Sequence, residues 1–237
     1  MANRIPVLIF MIFFCSSSSR LCGQQLFIPT GKITFEKKVN LQRNLAGWNL
    51  SDETREKIKK YQISSWELSF NESSAIYFSE SSANQLYSDY SSRTRVLKKT
   101  IIGEDYLLND TIPHIDWKIM DEIRTISGYE CRKAIGRIQD TIYVVAFYTD
   151  EILLKGGPEG FSGLPGMILG LAIPRYSTTW FATKVDALSN NAAQIVSPQK
   201  GKKIESEKDL SKLIELYSRY EGIKNEAVKK RIYGFTL

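Results

Sequence analysis

The chain has 237 residues, of which 43% are hydrophobic, 24% charged and 11% aromatic. These fractions exclude intrinsic disorder, collagen-like repeats and a coiled-coil rod, and the length suits one domain whose core needs no disulfide staples. Thirty-two basic against 26 acidic side chains leave a formal charge of +6, and one histidine with three cysteines offers little for an imidazole-rich metal site or a cystine scaffold.

At the N-terminus, Met1–Arg4 supplies a basic start, Ile5–Cys15 an apolar run and Ser16–Ser19 a small polar stretch. This is the pattern of a secretory signal peptide, with cleavage expected near Gly23. A membrane-spanning helix needs about 20 apolar residues, and Ser16–Arg20 ends the run well before that. Lipid acylation at Cys15 or Cys22 would want a small residue directly before the cysteine, and Phe14 and Leu21 stand there. Residues 24–237 are then a single β-rich domain with no membrane span. Loss of Arg4 and Arg20 and of no acids takes the charge from +6 to +4. Bases and acids alternate through that domain without a concentrated stripe, so a nucleic-acid partner is not expected. Cys131 is left as a lone thiol, buried in a strand-like run.

Residues 31–39 alternate apolar and polar side chains and predict a half-buried strand. Residues 51–61, opened by Ser51 and acids and closed by bases, predict a short helix. Strands follow at 65–70 and 75–78, and the serine-rich stretch 79–92 reads as a long exposed loop. Further strands are expected at 96–102, 105–108, 114–120, 129–138, 141–149, 167–173, 178–185 and 194–196. The short turns between them describe an antiparallel meander rather than a βαβ alternation. Ser206 with Asp209 forms a capping box, and Leu210, Leu213, Ile214, Tyr217 and Tyr220 recur on one face of a C-terminal amphipathic helix. The C-terminal helical segment extends over 206–231, with 224–231 as a second piece. The fold class is therefore mainly β (α+β): a long curved antiparallel sheet, either a half-barrel with a helix in its mouth or a closed barrel.

The stretch 156–166 holds five glycines and two prolines between two expected strands. Pro165-Gly166 suits the central pair of a type II turn. The loop reads first as a shaped connection pinned by Phe161 and Leu164, and second as a lid or binding loop. It contains one titratable group, Glu159. It lacks the Lys-Ser ending of a phosphate-binding loop, and Leu164 stands where a nucleophile elbow around Ser162 would need glycine. His114 is the one imidazole, two residues from Asp116, with Cys131 as another conceivable partner. Adjacent aromatic pairs such as Tyr77-Phe78, Phe147-Tyr148 and Trp180-Phe181 put rings on both sheet faces. They line either an apolar cavity or a second packing layer beneath the C-terminal helix.

Tyr129–Ala134, Tyr148–Ile152, Gly157-Pro158, Phe161 and Gly163–Leu169 together resemble the GLPGLI family of Bacteroidota envelope proteins over about residues 30–190. The carried-over motif residues are Tyr129, Cys131, Lys133, Ala134, Pro158, Gly163, Leu164, Pro165 and Gly166. Phe147, Leu153 and Met167 depart from the family's usual tryptophan, proline and leucine. The resemblance implies a protein secreted across the inner membrane, periplasmic or associated with the outer membrane, in a family with no settled activity. The strand succession is also similar to lipoprotein-carrier half-barrels, which is a likeness of fold alone. The leading expectation is a non-enzymatic protein that needs no cofactor or metal and binds a lipid-like molecule in a sheet concavity. Trp117, Tyr148, Phe161, Leu164 and Pro165 are its expected contacts. The rivals are an adaptor of an outer-membrane transport or secretion complex, and a hydrolase or metal-dependent enzyme using His114, Cys131 or the carboxylates.

Overall fold

Period-two alternation dominates the folded chain. In β1 (Gly31–Asn40), Ile33 and Phe35 are wholly buried while the residues between them reach solvent. The computed structural model describes residues 27–44, 51–138, 141–187, 195–205 and 207–220. After β1 come two short helices, α1 (Leu41–Asn44) and α2 (Asp52–Lys57). Next are β2 (Tyr61–Phe70), β3 (Ser74–Ser79), β4 (Ser82–Asp89), β5 (Thr94–Ile101), β6 (Glu104–Thr111), β7 (Lys118–Ile126), β8 (Tyr129–Ile138) and β9 (Ile142–Thr149). Then β10 (Met167–Ile173), β11 (Thr178–Ala187), β12 (Lys202–Ile204) and α3 (Glu207–Tyr220) complete the described chain.

All twelve strands form one sheet in the order β12-β6-β5-β4-β3-β2-β1-β11-β10-β9-β8-β7. Two meanders thus meet where β1 pairs with β11, which joins the start of the first meander to the end of the second. Every pairing is antiparallel except β12 with β6. Among the described residues the sheet keeps two free edges, at β12 and β7, so it is an open, curled sheet and not a closed barrel. Its β7 end folds back far enough for the Ser127 hydroxyl to donate to the Ala182 carbonyl of β11 at 2.7 Å, across three intervening strands. Hairpins close on pairs that accept positive φ, Ile102-Gly103 and Ser127-Gly128, as the right-handed twist of two-residue loops requires.

Cross-strand register defines an inner face. Phe35 faces Trp66, Leu68 faces Tyr77, Tyr77 faces Leu86, and Leu86 faces Leu97. On the other side of β1, Lys37 faces Trp180. The cover of this face is the Gly/Pro loop, whose short 3₁₀ turn at Pro158–Gly160 lies against β3, β4 and β10. The expected occupant of the half-barrel's mouth, the C-terminal helix, instead packs beside β12 at the sheet's edge, with Ile214 buried there. The inner aromatics are accordingly packed beneath the loop rather than beneath the helix.

Other expectations are corrected. The serine-rich stretch 79–92 contains β4, because Leu86 and Ser88 point inward and small hydroxyl residues fill the space that the covering loop leaves. Residues 112–117 are irregular and the strand begins at Lys118, since Pro113 has no amide for a ladder and Ile112 and Ile115 anchor the segment at a three-residue spacing. β7 escapes the hydrophobic pattern because it is a polar edge strand. Ile195 and Val196 form no strand, and β12 takes the sheet edge instead. The helix after Ser51 stops at Lys57, and β2 starts as early as Tyr61. Residues 1–23 and 224–231 lie outside the described residues, as do the Ser206 cap and the Tyr217 and Tyr220 side chains.

The type II turn at Pro165-Gly166 does not form. Gly163, not Gly166, takes the positive φ of 94°. Gly166 is required for a different reason: a Cβ there would lie 1.9 Å from the Thr149 carbonyl oxygen. Substitution Gly166→Ala is therefore expected to cost more than about 3 kcal/mol, as severe overpacking against rigid backbone does. Gly128→Ala, in open space, should cost about 1–2 kcal/mol from its left-handed φ alone. Chemical denaturation of the two variants checks this ranking, and equal losses would contradict it.

Candidate functional site

Alternation along β1 carries a lysine inward. Lys37 follows Ile33 and Phe35 on the same face, and its ammonium lies 5.2 Å from the ring centres of both Trp66 and Trp180. Two indole faces are favourable for a cation whose hydration has been reduced. They do not replace a counter-ion, and that comes from the covering loop. Glu159 Oε1 accepts from Lys37 Nζ at 2.6 Å and from the Trp180 Nε1–H at 3.0 Å. The Glu159 side chain is 2% exposed and that of Lys37 16%, so the pair is close to sealed.

The loop holds Glu159 in place at some local strain. Glu159 sits at φ 56°, ψ 18°, a left-handed conformation that costs a non-glycine residue about 1 kcal/mol or more. The neighbouring backbone rests directly on the sheet. A Cβ on Gly156 would meet the Tyr90 hydroxyl at 2.5 Å, and one on Gly160 would meet the Leu86 side chain at 2.8 Å. Three hydrogen bonds pin the segment: Ile168 N–H to the Gly156 carbonyl at 2.8 Å, Phe161 N–H to Pro158 at 3.1 Å, and Trp117 Nε1–H to the Ser162 carbonyl at 2.9 Å. Phe161 and Leu164 are buried in the core.

One buried polar atom at this centre, Glu159 Oε2, lacks a hydrogen-bond partner among the described residues. Tyr77 stacks on Trp66 with ring centres 5.0 Å apart and meets the edge of Phe35 at 6.4 Å. Burial, and then the Glu159 charge, push its phenol well above the ordinary range, against a smaller opposing effect of the nearby Trp180 indole N–H. Lys99, inward on β5 beside Leu97, is held below the ordinary lysine value by burial, which the Glu159 charge partly offsets and Lys37 reinforces. The centre is thus an aromatic box containing an ion pair, a second lysine within electrostatic reach, and an under-bonded carboxylate.

The residues expected from sequence divide into two groups. Trp117, Phe161 and Leu164 are brought together where the loop meets the sheet, and there they hold the loop down. Tyr148 and Pro165 line a separate cleft of about 150 Å³ with Glu130, Arg132 and Asp150, a charged rather than apolar setting. Of the motif residues on β8, Cys131 and Ala134 are wholly buried, Tyr129 is half-buried, and Lys133 pairs with Glu122 at 2.5 Å. Pro158 opens the 3₁₀ turn, and Gly163 lies against Trp117. His114 Nε2 meets Asp116 Oδ1 at 3.0 Å as an exposed surface pair. Burial pushes the Cys131 thiol up from 9.0 to about 12, which keeps it protonated and unreactive. Among the described residues no cluster of histidine, cysteine, aspartate or glutamate is placed to hold a metal ion. None of their helices is long and apolar enough to cross a membrane.

Sequence reasoning missed Lys37 and Lys99. The signal for Lys37 was present in the parity Ile33-Phe35-Lys37, a charge on the buried face of an alternating strand. Its partner lies 122 positions away and has no local signal.

A family model described as "Protein of unknown function (Porph_ging)" matches residues 135–170, which include β9, the Gly/Pro loop and the start of β10. Two solved structures of PNGF-II, in C2 and P21 space groups, match with TM-scores of 0.56 and 0.55 at 15% and 14% identity. Each match covers 79% of this chain but only 33% and 34% of the PNGF-II chain. This chain therefore spans about a third of that protein's length, and the likeness is one of fold. No curated protein matches.

Lys37→Met should cost about 3–5 kcal/mol, because it leaves the Glu159 carboxylate buried without a counter-ion. Adding Glu159→Leu should restore most of that loss; denaturant titration of the single and double variants measures it. The raised Cys131 thiol predicts a second outcome. The fold favours the neutral thiol, so this contribution to stability is intact below pH 9 and declines as pH rises toward 12. The native chain should resist iodoacetamide at pH 8 and react once unfolded; rapid native alkylation would contradict the buried assignment.

Proposed function

We propose that the chain is a secreted, non-enzymatic cell-envelope protein of the GLPGLI type that binds a lipid-like molecule on the inner face of its sheet, with the loop 156–166 as the lid. The observation that carries this reading is the Glu159 carboxylate, buried beneath the loop with one oxygen unpartnered among the described residues. Leaving such a group unbonded costs about 1–3 kcal/mol, and a purely structural plug would be more stable with an apolar side chain at that position. Strain, an orphan acceptor and a buried charge gathered on one residue are features of a site rather than of a core. Beneath the loop, Phe35, Trp66, Tyr77 and Leu86 present apolar surface suited to a hydrocarbon chain.

In this reading Phe161 and Leu164 are latch contacts, which a ligand displaces, and Trp117 is their anchor. Secretion across the inner membrane, to the periplasm or the outer membrane, rests on the N-terminal signal pattern.

A second reading has its own observation. β7 ends the sheet with a free edge and exposes Ile119 and Ile123, which suits strand addition by a protein partner of an outer-membrane complex.

Native mass spectrometry of the mature chain, purified gently from its own envelope without added lipid, separates the two. A reproducible extra mass that leaves on denaturation is the expected result. A bare chain that cross-links in the envelope to one protein through β7 would replace the ligand reading with the adaptor.

A further inference from the structure

Lys37 and Trp180 belong to adjacent strands and face each other in register. Both donors that converge on Glu159 Oε1 are therefore built into the sheet, on backbone that does not depend on the loop. The ammonium is also centred between the Trp66 and Trp180 rings, so its position is fixed independently of the acid it meets. The acceptor has the opposite character. It arrives on a separate loop from a residue at φ 56°, and half of its carboxylate is unsatisfied. The rigid half of this ion pair is the cationic cradle, and the replaceable half is the anion.

We infer that Glu159 is an internal stand-in for the ligand's own acid group, and that the Lys37–Trp180 cradle is the binding site for the carboxylate of an amphiphile whose apolar tail lies along Phe35, Trp66, Tyr77 and Leu86. This deepens the ligand reading above and rests on it. The physical argument concerns charge. When the loop lifts, Lys37 would be left in a largely buried aromatic setting without a counter-ion, which is costly. A neutral ligand cannot remedy that, whereas an incoming carboxylate accepts the same two hydrogen bonds and makes the exchange nearly balanced. One ammonium and one indole N–H converging on a single oxygen match the acceptor geometry of a carboxylate, the group that Glu159 itself places there. Apolar walls around the cradle then select an acid with a long hydrocarbon tail over a small soluble one.

The test uses the mature chain with two probes of equal tail length, myristate and myristyl alcohol, followed by quenching of tryptophan fluorescence, because Trp66 and Trp180 flank the cradle. The wild-type chain should prefer myristate to the alcohol. Glu159→Gln removes the competing internal charge while keeping the side chain's shape, and should bind myristate at least tenfold more tightly with little change for the alcohol. Lys37→Met in the Glu159→Gln background should abolish the preference for the acid. Circular dichroism confirms that each variant is folded; if Lys37→Met does not fold, Lys37→Gln takes its place. Equal affinity for acid and alcohol in every variant would overturn this inference and leave the ligand reading standing. Binding of neither probe to any folded variant would overturn both.

Discussion

The contact between Lys37 and Glu159 joins the first strand of the domain to a loop 122 residues later, and much of the inner architecture is arranged around it. A charge pair taken out of water is tolerated only when geometry and additional hydrogen bonds offset its desolvation. Here the offset is incomplete. Trp180 and two indole faces satisfy the lysine side and one carboxylate oxygen, while Oε2 has no partner. The pair also requires the loop to approach the sheet within van der Waals distance, which explains the density of glycine in 156–166. Gly156, Gly160 and Gly166 each lie where a Cβ would strike Tyr90, Leu86 or the Thr149 carbonyl. The glycines serve close approach more than backbone freedom.

The junction of β1 with β11 gives that contact its rigidity. These neighbouring strands place Phe35, Lys37 and Trp180 side by side, and Trp66 on β2 and Tyr77 on β3 continue the aromatic floor. The opposite end of the sheet has another character: β7 is polar, irregularly paired and open at its edge. The buried charge is therefore confined to the centre, and the periphery is polar and open.

Much of this was legible in the sequence, for physical reasons that can be located. Strands with one wet face, such as residues 31–39 and 129–138, announce themselves by alternation, and Ser127-Gly128 marks its hairpin. Phe161 and Leu164 were readable as the residues that pin the loop. Three strands were obscure, β12 because Lys202-Lys203-Ile204 is too short to carry a period. β4 is built from serine, asparagine and glutamine with a single inward leucine, and β7 has the charged surface of an edge. Neither has a hydrophobic period to read. The helix at 207–220 was visible by its own periodicity, but its placement was not, because an amphipathic face does not specify which surface it covers. The site was half legible. Glu159 stood out as the titratable group of the loop, yet nothing local says that it points inward or that Lys37 awaits it. Long-range charge pairing leaves no spacing signal.

Hydrogen exchange on the wild-type chain and on Glu159→Gln tests most directly whether this ion pair holds the loop against the sheet. The amides of Phe161 and Ile168, which donate to Pro158 and Gly156, should be protected in the wild type and exchange markedly faster in the variant. The amides of β1 and β11 should stay as slow as before, the pattern of a local opening. Unchanged protection at Phe161 and Ile168, or an equal acceleration throughout the sheet, would contradict the account.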